Sequence, residues 1–211
     1  MRLALAAAVA ACAYGQAAAD ANKTYQTAEG RARIASTLGA HDRDARQRPK
    51  ELIERIGIRP GMTVADIGTG VGYMLPHLSA AVGPDGRVIA EDIFRDFLDK
   101  AREKRAPNIV YIIGNEKDTL LPPGLVDVAL ILDAYHHFDY PKEMLASIHR
   151  GLKPDGRLAL VEFYKRGFRD PAHIRLDEEG FIREISENGF ELIESKPFTP
   201  DSQYLAIFRK K

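Results

Sequence analysis

The sequence predicts an α/β domain on a seven-stranded, mostly parallel sheet with an antiparallel C-terminal strand and helices on both faces. Three observations lead there. From Met62 onward, short β-branched runs alternate with segments of helical period. A glycine-rich loop follows the first run directly, and two runs near the C-terminus succeed one another with no helix between, so they must lie antiparallel.

The runs are Thr63 to Ile67, Arg87 to Asp92, Ile109 to Ile113, Val126 to Leu132 and Arg157 to Phe163. Helical period is expected over Val71 to Val82, Phe94 to Arg105 and Lys142 to Gly151. Gly83-Pro84-Asp85-Gly86 and Lys153-Pro154-Asp155-Gly156 are turn chemistry that ends a helix and launches a strand. Further on, a helix from Glu178 to Asn188 meets Gly189 as its C-terminal cap. A strand Phe190 to Ser195, a proline-containing break and a strand Gln203 to Arg209 complete the sheet. Upstream, Pro49 opens a helix with Leu52, Ile53 and Ile56 on one face and Gly57 at its end.

At 211 residues with 45% apolar content, the chain fills one core, so residues 49–211 are taken as one domain. Residues 20–48 are polar, rich in Ala, Arg and Asp, with a thin apolar face over Glu29 to Leu38. They form an N-terminal extension that packs over the domain as a lid, carrying Tyr25, His41, Arg43 and Arg46.

Residues 1–19 have the layout of a signal peptide: Arg2, an apolar run from Leu3 to Ala13, and small residues at Ala17 and Ala19 before Asp20. This implies a periplasmic or secreted protein; an alanine-rich disordered tail on a cytoplasmic one is the alternative. The apolar run is too short to span a bilayer, so no stable membrane span is expected. Val9, Ala10 and Ala11 before the single Cys12 resemble a bacterial lipobox, and no cysteine follows. Disulfides and thiol chemistry are thereby excluded beyond this segment. Lys and Arg (30) balance Asp and Glu (30), so there is no net positive field to draw the chain to nucleic acid.

The strongest chemistry lies in Val64-Ala65-Asp66-Ile67-Gly68-Thr69-Gly70-Val71-Gly72-Tyr73. Glycine allows a sharp turn from strand into helix and close backbone approach to a ligand. Dinucleotide sites use G-x-G-x-x-G facing a pyrophosphate, whereas here the third glycine comes one residue early. Asp66, two residues before Gly68, would repel a diphosphate and suits an ammonium group. The loop therefore favours a cationic, phosphate-free ligand. Asp92, with Glu91 beside it, ends the second strand, where an acid can accept both hydroxyls of a ribose.

These residues carry a resemblance. Pro60 to Phe163 is similar to the class I, Rossmann-like S-adenosylmethionine-dependent methyltransferases, in the group resembling the quinone-biosynthesis C-methyltransferases. Leu152-Lys153-Pro154-Asp155-Gly156-Arg157-Leu158 resembles the family's segment before its fifth strand, with Asp155 where Gly is usual. The resemblance implies S-adenosyl-L-methionine as cofactor and a methyl acceptor, expected to be a small molecule, that the sequence does not identify. Carried over by position, Gly68, Thr69, Gly70 and Gly72 approach the methionine and ribose portions, with Asp66 near the ammonium. Asp92 binds the ribose, Ile93 packs on the adenine, and Asn115 stands where the family has an Asp at the adenine edge. Asp133 completes the cofactor side.

Strand four ends in Leu132-Asp133-Ala134-Tyr135-His136-His137-Phe138-Asp139, and ligands of open α/β sheets bind beyond the carboxyl ends of the strands. His136 and His137 are accordingly the candidate catalytic residues, as a general base or as groups that shape the acceptor pocket. Neighbouring side chains on an emerging strand point apart, so at most one is expected to face the acceptor. No metal is expected, since adjacent histidines rarely converge on one ion and no third ligand has a recognisable spacing. A polar loop from Tyr164 to Arg175, with His173, is expected near the acceptor. Two rival readings are a non-catalytic S-adenosylmethionine-binding module and an NAD(P)-dependent oxidoreductase; Asp66 and the early third glycine speak against the latter.

Overall fold

The strand residues sort by alternation onto two faces, and that partition builds the molecule. In the computed structural model, which describes residues 18–39 and 42–211, the strands are β1 (Thr63–Ile67), β2 (Arg87–Asp92), β3 (Ile109–Ile113), β4 (Val126–Leu132), β5 (Leu152–Phe163), β6 (Phe190–Thr199) and β7 (Gln203–Lys210). They form a single sheet in the order β3-β2-β1-β4-β5-β7-β6. Strands β1 to β5 are mutually parallel, and β7 runs antiparallel to both β5 and β6. The chain order reverses on either side of β1, which opens a crevice above the carboxyl ends of β1 and β4.

Ala65, Ile67, Ala129 and Ile131 enter one core with Met144, Leu145 and Ile148 of helix α6 (Pro141–Gly151) and Phe181 and Ile185 of α7 (Glu178–Glu187). Val64, Val128 and Leu130 face the other way, against Leu52 and Ile56 of α3 (Pro49–Ile56) and Leu75, Leu78 and Val82 of α4 (Leu75–Val82). Between β2 and β3 lies α5 (Arg95–Ala101), continued by a 3₁₀ turn over Arg102–Lys104. Gly57 closes α3 with φ of 76°, a left-handed cap that glycine adopts without penalty.

Three boundaries differ from the sequence expectation. Helix α4 begins at Leu75 and not Val71, because the glycine loop holds the chain out of helical geometry through Gly72. Strand β5 begins at Leu152: its register jumps from Val126↔Leu152 to Val128↔Arg157, so the Lys153–Gly156 turn is an excursion within a ladder. Strand β6 continues through Pro197 with a register shift, which is tolerated because β6 is an edge strand.

The extension folds over the crevice. Residues 18–22 are helical, a 3₁₀ turn covers Lys23–Gln26, and α1 (Ala28–Leu38) and α2 (Arg43–Gln47) follow. Thr27 caps α1, its hydroxyl accepting the Gly30 N–H. Ala35, with Tyr25, Ile34 and Leu38 beside it, packs on Val71, Phe94 and Phe97, a small core separate from the other two. Among the described residues no helix is long and apolar enough to cross a membrane. The signal-like residues 1–17, Cys12 with them, and His41 lie outside the described residues.

Candidate active site

Gly68, Gly70 and Gly72 have φ of 68°, 56° and 78°, so the loop after β1 is left-handed at every second residue. The end of β2 braces it. The Thr69 N–H donates to the Glu91 carbonyl at 2.9 Å, and the Gly70 N–H donates to Asp92 Oδ2 at 2.8 Å. Asp92 Oδ1 accepts the Phe94 N–H at 2.9 Å, so one carboxylate ties the glycine loop to the turn after β2. Thr69 Oγ1 donates to Asp66 Oδ2 at 2.6 Å.

Beside this loop is a cavity of about 400 Å³, within the range of small-molecule and cofactor sites. Asp66, Gly68, Thr69, Gly70, Asp92, Ile93, Asn115, Asp133 and His137 all line it, as does Glu91. Gly72 is not among the lining residues, and the position of its missing Cβ falls 2.8 Å from Leu75 Cδ1 and 3.0 Å from Ala101 Cβ. Its place is helix packing, a role the spacing alone does not distinguish from ligand approach. Gly68 does border the cavity, and a Cβ there would meet Ala134 Cβ at 2.9 Å in a left-handed backbone. Gly68→Ala is expected to lower stability by about 1–2 kcal/mol and to weaken ligand binding. A thermal melt and a titration that both match the parent would contradict this.

Burial dominates the acids. It raises Asp66 to about 6 against the Thr69 hydroxyl and Arg43, and Asp92 to about 6 against the N–H groups of Phe94 and Gly70. Glu91 is pushed well above its ordinary value by burial and by Asp92, and its Oε1 has no hydrogen-bond partner. Asp133 sits at φ 55°, in the left-handed region, and is pushed up to about 7 by burial and by Glu162. Its Oδ2 accepts from Gln47 Nε2 at 2.7 Å and its Oδ1 from Gln203 Nε2 at 2.5 Å, with Arg43 Nη2 at 3.9 Å. Asn115 Oδ1 accepts the N–H groups of Lys117 and Asp118, so the amide presents Nδ2 as its remaining hydrogen-bonding group.

The extension supplies the roof. Tyr25 stacks on Phe94 with centroids 5.8 Å apart, and Arg31 Nε donates to Asp96 Oδ2 at 2.7 Å. Arg43 lies over the Tyr73 ring at 4.3 Å. Asn22, Tyr25, Leu38 and Arg43 all line the cavity. Asn22, Gln47, Gln203 and Glu162 were not singled out by sequence reasoning. The one local signal was Glu162, an acid inside the apolar run Leu158 to Phe163.

The two histidines depart from the expectation that they point apart. Tyr135–His137 is a 3₁₀ turn, not a continuing strand, so neighbouring side chains do not alternate. The rings of His136 and His137 lie 4.1 Å apart, and His173 from the loop after β5 comes within 5.1 and 5.2 Å of them. His136 is 2% exposed and lies behind the cavity wall, while His137 lines the cavity. His136 Nδ1 is 2.9 Å from both oxygens of Glu162, whose carboxyl also accepts the N–H groups of His136 and Phe163. Burial lowers His136 to about 3 and raises Glu162 to about 8, so near neutrality the pair carries no net charge. Burial holds His137 well below its ordinary value too. A base at either position would therefore be a weak one in the absence of ligand.

The doubly wound sheet and the braced loop define the class I methyltransferase fold, and residues 65–160 match the family model described as a methyltransferase domain. Over those residues the chain is similar to a methyltransferase domain, and its fold is that of the S-adenosylmethionine-dependent class. Among curated proteins it is 32% identical over 120 residues to a ubiquinone/menaquinone biosynthesis C-methyltransferase UbiE of Ectopseudomonas mendocina, a stretch covering 54% of this chain and 47% of that protein. With the protein of the same name from Vibrio vulnificus it shares 34% over 124 residues, 56% of this chain and 47% of that protein. The chain thus spans about half the length of the curated relatives it matches. Among solved structures, a SAM-dependent methyltransferase from Aquifex aeolicus superposes with a TM-score of 0.80 at 24% identity, covering 84% of this chain and 97% of that one. The [4+2]-cyclase SpnF superposes at 0.65 with 17% identity, covering 79% of this chain and 81% of that one, so the shape alone does not fix the chemistry.

Proposed function

We infer that this protein transfers a methyl group from S-adenosyl-L-methionine to a small-molecule acceptor. The reading rests on one arrangement: a buried Asp66 and an Asp92-braced glycine loop facing a roofed cavity of about 400 Å³. When bound, the cofactor supplies an electrophilic sulfonium methyl. Everything else falls to the chain. Asp66 is placed to accept an ammonium, Asp92 and Glu91 to accept ribose hydroxyls, and Ile93 to cover an adenine face. The unpartnered Oε1 of buried Glu91 fits this role, since a buried acceptor left without a donor is costly until a ligand supplies one. Tyr25, His137, Phe138 and Met144 line the cavity beside Asp133 and form an acceptor end suited to a planar ring. Catalysis then comes mainly from positioning and exclusion of water by the roof.

Quinone-type rings are the acceptor class we favour, because the curated relatives are named for ubiquinone and menaquinone C-methylation. Incubation with isotopically labelled methyl donor and a panel of quinols, phenols and amines tests this. Label on a ring carbon supports it; label confined to amines refutes it. We also propose export, on the Arg2, apolar-run and Ala17-Ala18-Ala19 layout. N-terminal sequencing from the native host checks it, with a cytosolic chain starting at Met1 or Arg2 as the contrary result.

The raised carboxyls give a pH prediction. Asp66 must lose its proton to receive an ammonium, and its value near 6 places that loss inside the accessible range. Affinity for S-adenosylhomocysteine should rise up to about tenfold per pH unit below that value and level off above it. Stability of the unliganded protein runs the other way. Groups raised on folding contribute stability that is present below their unfolded values and lost as pH rises through about 6 to 7, the values of Asp66, Asp92 and Asp133. Calorimetry and melts between pH 5 and 8 check both slopes; a flat affinity would show that Asp66 does not meet the ammonium.

A further inference from the structure

His136, His137 and His173 bring one ring nitrogen each to within 4.8 Å of one another, and of the three His137 lines the cavity. We propose that these three histidines form a binding site for a borderline divalent cation of the zinc type, an inference independent of the methyl-transfer reading.

The hydrogen bonds around the rings argue for it. Asn22 Nδ2 donates to the His137 carbonyl at 3.0 Å and to Asp139 Oδ2 at 3.2 Å, which fixes the orientation of the amide. Asn22 Oδ1, 2.8 Å from His137 Nδ1, must then accept, so Nδ1 carries the proton and Nε2 the lone pair. His136 turns Nδ1 to the Glu162 carboxyl, again leaving Nε2 as the ring nitrogen available to a ligand. A histidine whose second nitrogen is held by a carboxylate or an amide oxygen is the usual state of a metal ligand, because the outer partner fixes ring and tautomer. Both rings have that partner here. His173 stacks on Phe168 with centroids 5.1 Å apart and planes 10° apart, which orients the third ring.

Zinc holds its nitrogens at about 2.0–2.1 Å, which sets neighbouring ligand nitrogens about 3.4 Å apart. Binding therefore draws the triplet together, chiefly through His173, whose loop carries it without a helix or strand. Three imidazoles leave a fourth position open, as in catalytic zinc sites.

The test uses the full chain and metal alone. Zinc content after dialysis against Zn(II), measured by mass spectrometry, should be about one per chain in the parent and in His149→Ala. It should fall at least tenfold in His173→Ala and His137→Ala, with melts to confirm folding. Co(II) loaded into the parent should give the intense visible bands of a four-coordinate site, a readout that needs no variant. The proposal is overturned if the parent takes up no Zn(II), if uptake is unchanged in His173→Ala, or if Co(II) shows only the weak spectrum of the hydrated ion. None of these outcomes depends on whether methyl transfer occurs.

Discussion

Asp92→Ala should raise the dissociation constant for S-adenosylhomocysteine by at least about 10²-fold. The side chain accepts the Gly70 N–H at 2.8 Å and the Phe94 N–H at 2.9 Å while facing the cavity. Hydrogen bonds to a charged group contribute about 1.5–3 kcal/mol each. Removing the carboxylate loses the proposed ribose contacts and also frees a loop whose three left-handed glycines have no conformational preference of their own. Binding must then include the cost of ordering that loop. Calorimetry decides the matter, and Glu91→Gln separates the two roles: it keeps an acceptor oxygen beside the Gly68 N–H, so it should cost less than the loss of Asp92. A dissociation constant for Asp92→Ala within threefold of the parent would remove Asp92 from the site.

Glu162→Ala should be the most destabilising single change among the site residues, by about 3 kcal/mol or more. Glu162 is fully buried and accepts from the main-chain N–H groups of His136 and Phe163, with the His136 ring nitrogen at 2.9 Å. Truncation leaves these groups without a partner away from water, at about 1–3 kcal/mol for each. For a chain of this size that lowers the melting temperature by about 6–12 °C. Glu162→Gln keeps one acceptor oxygen and should lose about half as much. Equal melting of parent and Glu162→Ala would mean that water or a rearranged His136 replaces the carboxyl without cost.

The regular part of this molecule was legible because its signals are local. The apolar run Val126 to Leu132 and the period of Lys142 to Gly151 each depend on a few neighbouring residues, and the structure returns those elements nearly to the residue. The glycine loop was legible for the same reason, since backbone geometry at Gly68 and Gly70 is dictated by residue type. The antiparallel β6–β7 pair followed from connection length alone. What escaped was long-range. Gln47 and Gln203 meet at Asp133 across 86 and 70 residues of chain, and no periodicity announces a partner at that distance. The His136–His137 geometry was misread where the strand gives way to a 3₁₀ turn, a change of period lasting three residues. His173 arrives from a loop whose path no sequence pattern encodes.

The Asp133 carboxylate is where three distant stretches of polypeptide are tied: α2 through Gln47, the end of β4, and the start of β7 through Gln203. A knot of this kind sets an order of events during synthesis. The sheet from β1 to β5 can pair as those strands emerge, but Gln203 leaves the ribosome only after all five of them, and until it does Asp133 lacks one of its two amide donors. The left-handed backbone at Asp133 has little reason to persist before then. Ligand competence should therefore arrive late and abruptly in a nascent chain, after translation passes β7, while most of the hydrophobic layers are already in place. Chains stalled before Gln203 would be largely folded yet unable to hold the cofactor.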